Sequence, residues 1–330
     1  MGTDHRPLTT DHLTDSDLLR LYYFLKLNRS LEDRLVALYR QGKITATVFT
    51  SRGQEATSVG SAYAMAPQDV VCPLTRNIGT MLVRGVRPRD IFTQYIGTAA
   101  GPTKGKERIH YFGDLQKGMV ASLSVLGDMI PVMAGVALAS RITGSNAVAM
   151  TYLGDGATST GNFHEGMNFA SVLKLPLVLI IENNLYAYST PVSKQYAHAD
   201  FAMRAKGFGI PADIVDGNDV LEVYRVTRAA VERARNGGGA SIIEAKTMRM
   251  GGHSDADPAW YVPSEIMDEW KKRDPILQFD RQLREIGLLN DAELGDIEER
   301  IRKEIEQDLE FALSSPMPEP GSALDGIYAG

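Results

Sequence analysis

Apolar residues recur at helical spacing through Leu18, Leu21, Tyr22, Leu25, Leu31, Leu35 and Leu38, and Thr14 with Asp17 ahead of them has the pattern of a capping box. This predicts a helix over residues 16–40, with a bend near Asn28. Beyond it, short β-branched runs alternate with amphipathic or small-residue stretches. The strand candidates are 70–74, 147–153, 177–182, 213–215 and 241–248; the helix candidates between them include 129–140, 162–173 and 220–235. Strand and helix in repetition predict an α/β fold, a parallel sheet with helices on both faces. Leu294, Ile297, Ile301, Ile305 and Leu309 mark a late amphipathic helix, which can pack on its own core or on a partner. The division expected is a polar tail over 1–15, one α/β unit over 16–314 and a Pro-rich C-terminal arm over 315–330.

In such sheets ligands gather outside the carboxyl ends of the strands, so chemistry is sought in the loops that follow strands. The run Asn236-Gly237-Gly238-Gly239 precedes a strand and reads as a turn. Gly154-Asp155-Gly156 and Asn183-Asn184, in contrast, directly follow the strands ending near Leu153 and Glu182. Neighbouring strands lie about 4.8 Å apart, so the Asp155 carboxylate and the Asn184 amide oxygen can converge on one small cation. A hard ion such as Mg²⁺ takes about six oxygens, drawn from carboxylate, carbonyl, phosphate and water. The glycines flanking Asp155 admit close backbone approach, and the N-terminus of the next helix suits a diphosphate.

Composition narrows the classes. Of 330 residues, 44% are hydrophobic, 35 are Lys or Arg, 41 are Asp or Glu, and one is cysteine, Cys72. That is ordinary globular chemistry with no internal disulfide. The formal net charge of −6 offers no general attraction to nucleic acid or to an anionic membrane, and no apolar run approaches the ~20 residues of a spanning helix. A cytoplasmic setting is the expectation.

The residues 154–166 (GDGATSTGNFHEG), Leu175-Pro176 and 182–191 (ENNLYAYSTP) together resemble the thiamine-diphosphate motif of 2-oxo acid dehydrogenase α-subunits, the decarboxylating component of the pyruvate, branched-chain and acetoin complexes. The resemblance extends to Gly53-Gln54-Glu55-Ala56, Gly217-Asn218-Asp219, Gly252-His253-Ser254 and residues 322–325. It implies the diphosphate-binding half of a thiamine-diphosphate fold, with Asp155, Asn184 and the Tyr186 carbonyl as Mg²⁺ ligands. It further implies that Arg76 holds the diphosphate, that Gly154, Asp155, Gly156 and Ala157 line the cofactor, that backbone at Ser124 and Leu126 grips the aminopyrimidine, and that His253 acts from a loop over the cofactor. Thr75 stands where relatives often carry tyrosine, and Asn162 where some carry an acid. His110 and His164 read as locally hydrogen-bonded and His5, His12 and His198 as surface residues. For Glu165 an interface carboxylate and a proton relay stay open alternatives.

The resemblance also implies partners. A chain of this length has room for one cofactor half, so an α2β2 assembly is expected in which a β-subunit brings the glutamate that activates the pyrimidine, and a lipoyl-bearing acyltransferase accepts the acyl group. The substrate expected is a 2-oxo acid, branched-chain first on Arg273-Asp274-Pro275 and residues 322–325, with pyruvate favoured by His253-Ser254 and Asp257-Pro258. Pyruvate or acetoin dehydrogenase, and a non-catalytic cofactor-binding paralogue, are the alternatives. Ser254 corresponds to a serine phosphorylated in some relatives.

Overall fold

A computed structural model describes residues 12–327. His5 and the first eleven residues of the polar tail lie outside the described residues, as do the last three of the C-terminal arm. The chain begins with α1 (Asp15–Arg40), α2 (Glu55–Tyr63), β1 (Val70–Cys72), α3 (Ile78–Val83), α4 (Pro88–Ile96) and α5 (Met129–Thr143). Next come β2 (Ala149–Gly154), α6 (Gly161–Val172), β3 (Leu177–Asn183), the short strands β4 (Tyr186–Ala187) and β5 (Thr190–Pro191), α7 (Ala205–Phe208) and β6 (Ala212–Asp216). The remainder is α8 (Val220–Arg233), β7 (Ser241–Lys246), α9 (Ser264–Lys271), α10 (Pro275–Glu285) and α11 (Asp291–Ser314).

Five strands form a parallel sheet in the order β1-β2-β3-β7-β6, and β4 pairs antiparallel with β5. Side chains of the central strands alternate between two cores, as the pleat requires. Met150, Tyr152, Val178, Ile180 and Ile243 join the cluster under α1, α2, α3, α4, α8, α10 and α11. Ala149, Leu153, Leu179, Ile181 and Ile242 join the opposite one, under α5, α6 and α7. This is the α/β sheet covered on both faces that the alternating pattern predicted.

Local chemistry sets the element ends. Thr14 and Asp17 form the reciprocal capping box, and α1 runs uninterrupted through Asn28 to Arg40 where a bend was expected. Asn28 sits buried in the helix and spends its amide on Ser51 Oγ at 2.8 Å, so it ties helix to loop and does not break it. β1 stops at Cys72, two residues earlier than predicted, because Pro73 has no N–H for the ladder. α8 ends at Arg233 and unwinds through a wide turn over Ala234–Gly238, with Gly237 at φ +82. The late amphipathic helix α11 packs on its own chain: Ile301, Ile305, Leu309 and Ala312 are buried in the larger core. The arm beyond it is pinned by Ala99 N donating to Pro316 O at 2.9 Å. Among the described residues no helix is long and apolar enough to cross a membrane.

Candidate active site at the carboxyl ends of the strands

The register of β2 and β3 pairs Gly154 with Glu182, so Asp155 and Asn184 leave adjacent strands at nearly the same level. Both are buried, 2% and 6% exposed. After Gly154 the chain turns tightly over Asp155–Ser159, with Thr158 Oγ1 donating to Asp155 O at 2.7 Å, and Thr160 caps α6. After Asn184 it turns through Leu185 and Tyr188, both in the left-handed region at φ +73 and +52, which folds β4 and β5 back over the Asp155 turn. The approach is so close that a Cβ on Gly156 would sit 2.5 Å from Ala187 Cβ.

These loops wall a cavity of ≈ 480 Å³. Arg76, Ser124, Leu126, Gly154, Asp155, Gly156, Ala157, Asn184, Tyr186 and His253, the whole set singled out in the sequence, line it together. Thr75 lines it too, its hydroxyl 3.0 Å from that of Tyr111, so a tyrosine side chain reaches this wall from another segment. Asn162 faces Asp128 and hydrogen-bonds to it, and Glu165 is exposed on α6; neither lines the cavity. His110 is buried against Tyr95 OH at 2.9 Å, His164 contacts Arg204 at 3.4 Å, and His12 and His198 are exposed.

Two guanidinium groups enter the cavity. Arg76 Nη1 donates to Thr50 O at 2.9 Å, and its Nη2 donates to the His253 carbonyl and lies 3.4 Å from His253 Nδ1. Arg249, just beyond β7, donates to Tyr186 O at 3.4 Å, Tyr188 O at 3.1 Å and Tyr261 OH at 3.0 Å. Neither forms an ion pair with a carboxylate among the described residues, although both are over nine-tenths buried. Buried charge without a counter-ion is costly, and burial together with Arg249 pushes Arg76 down to about 10. Burial, Arg76 and Arg249 push His253 down to about 4, which keeps its imidazole neutral. That ring packs between Tyr188, at 4.6 Å, and Phe49, at 5.6 Å between centroids.

The acidic and amide groups complement this positive wall. Burial raises the Asp155 carboxyl above its ordinary range, opposed by Gln195, whose Nε2 donates to Asp155 Oδ2 at 2.8 Å. Asn184 Nδ2 donates to Gln54 Oε1 at 3.2 Å, and Asn184 Oδ1 is buried with no partner among the described residues. Burial pushes Glu182 up to about 7 against the bond it accepts from Asn77 Nδ2 at 2.8 Å. Among the described residues there is no cluster of three His, Cys, Asp or Glu side chains. A metal here would draw on one carboxylate, an idle amide oxygen and main-chain carbonyl, an all-oxygen set suited to a hard cation.

Gly251 and Gly252 precede His253 in its loop. At Gly252 a Cβ would fall 1.9 Å from Asp257 O, so this glycine permits a close crossing of backbone. Asp257 organises the loop by accepting from His253 N at 2.6 Å and from Tyr261 OH at 2.5 Å. Arg249, Gln54, Gln195 and Glu182 carry no role in the sequence reading. Arg249 follows the carboxyl end of β7, so the rule that led to Asp155 and Asn184 also points to it; Gln195 gives no local signal.

The comparisons agree with one another. The model of the dehydrogenase E1 component family matches residues 23–321. A 2-oxoisovalerate dehydrogenase subunit alpha from Bacillus subtilis (strain 168) is 37% identical over 320 residues, covering 96% of this chain and 97% of that protein. A pyruvate dehydrogenase E1 component subunit alpha from Staphylococcus epidermidis is 37% identical over 321 residues, 96% of this chain and 83% of that protein. The alpha subunit of an acetoin:2,6-dichlorophenolindophenol oxidoreductase from Bacillus subtilis is 33% identical over 317 residues, 96% and 95% of the two chains. With its cavity at the strand ends and this family matched over most of its length, the chain belongs to the dehydrogenase E1 component family.

Proposed function

We propose that this chain is the α-subunit of a heteromeric 2-oxo acid dehydrogenase, that its cavity holds thiamine diphosphate and Mg²⁺, and that branched-chain 2-oxo acids are its first substrates, the acyl group passing to a lipoyl carrier. The observation that carries the reading is the pairing, in one cavity, of two buried guanidinium groups that lack carboxylate partners among the described residues with a buried Asn184 oxygen that lacks a donor among them. A diphosphate answers the first deficit and a hard cation the second. Asp155 Oδ1, Asn184 Oδ1 and the Tyr186 carbonyl would hold the metal; Arg76 and Arg249 would hold the diphosphate.

Bound there, thiamine diphosphate supplies an electron-accepting ring on which a 2-oxo acid can lose CO₂. The chain's own residues bind and orient. Arg76 only donates, so His253 Nδ1 accepts from it and the proton stays on Nε2, leaving a neutral donor at the cavity wall. Tyr188 and Phe49 pack against that ring and orient it. No step requires this chain to activate the cofactor by itself; a β-subunit would bring the glutamate for that. A surface for such a partner adjoins the site. The loop bearing Ser124 and Leu126 also exposes Leu123 and Val125 and leads into α5, where Val132 and Ile142 are exposed alongside Phe169 and Val172 of α6.

The test is turnover with thiamine diphosphate, Mg²⁺ and an artificial electron acceptor. The isolated chain should be inactive, and the reconstituted pair should consume 3-methyl-2-oxobutanoate faster than pyruvate or acetoin. Full activity of the chain alone would overturn the two-subunit reading, and a preference for pyruvate or acetoin would overturn the substrate assignment. Uptake of thiamine diphosphate without turnover of any of the three would favour the non-catalytic paralogue.

A further inference from the structure

Gln195 lies outside every strand and helix that builds the cavity, yet it makes the side-chain hydrogen bond that Asp155 receives among the described residues. Its Nε2 donates twice, to Asp155 Oδ2 and to Thr190 O, each at 2.8 Å, while its Oε1 is buried without a partner among the described residues. Thr190 belongs to β5, which pairs with β4. One amide therefore ties the carboxylate from the β2 side to the hairpin that carries the Tyr186 carbonyl. Backbone bonds support the arrangement, with Gln195 N donating to Val192 O at 2.9 Å and Val192 N to Leu185 O at 3.1 Å.

Gln195 occupies a lone pair of Oδ2 and orients the carboxylate, leaving Oδ1 as the oxygen without a side-chain donor among the described residues and so favouring one-armed binding of a cation. Mg²⁺ demands near-octahedral geometry and short bonds, whereas Ca²⁺ accepts both oxygens of one carboxylate and more ligands in all. Groups that hydrogen-bond to metal ligands orient them and tune affinity by about 10- to 100-fold. We propose that Gln195 is a positioning residue that keeps Asp155 one-armed and so sets the preference of this site for Mg²⁺ over Ca²⁺. The proposal rests on reading the cavity as a metal–diphosphate site.

The experiment uses the reconstituted α/β pair with thiamine diphosphate present, and titrates Mg²⁺ and Ca²⁺ separately by calorimetry. Gln195→Met, of similar length without a donor, is compared with Gln195→Ala and with the unaltered pair, and thermal melts without cation and cofactor report folding. The expected result is Mg²⁺ binding weakened roughly tenfold or more, with Ca²⁺ binding changed much less, so that the ratio of the two constants falls. An unchanged ratio overturns the proposal, whether neither constant moves or both fall together with the melting temperature, the latter being a purely structural effect. If the unaltered pair takes up no thiamine diphosphate with either cation, the underlying reading of the cavity fails instead, and the two failures are distinct.

Discussion

Asn184 donates its Nδ2 to Gln54 Oε1 at 3.2 Å, and this bond decides which end of the Asn184 amide is left for the cavity. Gln54 is fully buried at the start of α2, held in a loop whose Gly53 N donates to Glu55 Oε2 at 2.9 Å. Gln54→Leu removes the acceptor and lets the amide turn its donor inward. Metal-dependent cofactor affinity should fall roughly tenfold in that variant. Gln54→Glu keeps an acceptor but buries a carboxyl beside Glu182, so it should recover only part of the affinity. Calorimetric titration of the α/β pair distinguishes them; equal affinity in all three would refute the role.

Arg249 is the second prediction. Its guanidinium spans Tyr186 O, Tyr188 O and Tyr261 OH, a spread of acceptors that one ammonium cannot match. Arg249→Met should weaken thiamine diphosphate binding by about 10- to 100-fold, the size of a lost charge-assisted contact. Arg249→Lys should restore charge yet recover only part of the affinity. Restoration to the unaltered value would show that charge alone matters at this position.

The left-handed backbone at Leu185 leads to a third. A β-branched side chain is poorly tolerated at φ +73. Leu185→Val should destabilise the folded pair by roughly 1–2 kcal/mol and loosen metal binding as well, because the turn aims Asn184 and Tyr186. Leu185→Gly should cost less, since glycine adopts this conformation without strain. Thermal melts and Mg²⁺ titration of both variants check the ordering.

Glu32 supplies a pH dependence. It is buried under the loop that carries Phe49 and Gln54, accepting from Ser51 N and Oγ at 2.9 and 2.7 Å. Burial and the nearby Glu55 push it up to about 8 from an ordinary 4.5. The folded chain thus holds this proton more tightly than the unfolded chain does. The resulting stabilisation is full below the unfolded value and is lost as pH rises through about 8. Glu32→Gln mimics the protonated form, so its melting temperature should drop less between about pH 5 and about pH 8.5 than that of the unaltered chain. Parallel pH profiles would refute the assignment.

Much of the site was legible because a parallel sheet sends its loops to one end. Asp155 and Asn184 follow adjacent strands, and no side-chain detail was needed to bring these two together; Arg76 came from the family resemblance, and its place after β1 agrees with that rule. His253, Ser124 and Leu126 came from the family resemblance, since nothing in their spacing places them at the sheet. Gln195 stayed invisible because it reaches the cavity by a hairpin turning on left-handed Leu185 and Tyr188, a conformation that leucine and tyrosine do not announce. Glu182 was read as the last strand residue, and only the folded structure shows that it lines the cavity.

Across its fifteen residues α5 bears a single charged group, Arg141. A companion seated on such a face would be gripped by the release of ordered water, with little help from ion pairing. Its docking should accordingly withstand raised ionic strength, carry a negative heat-capacity change and weaken in the cold, so that chilled storage, more than salt, is the condition under which the assembly would come apart.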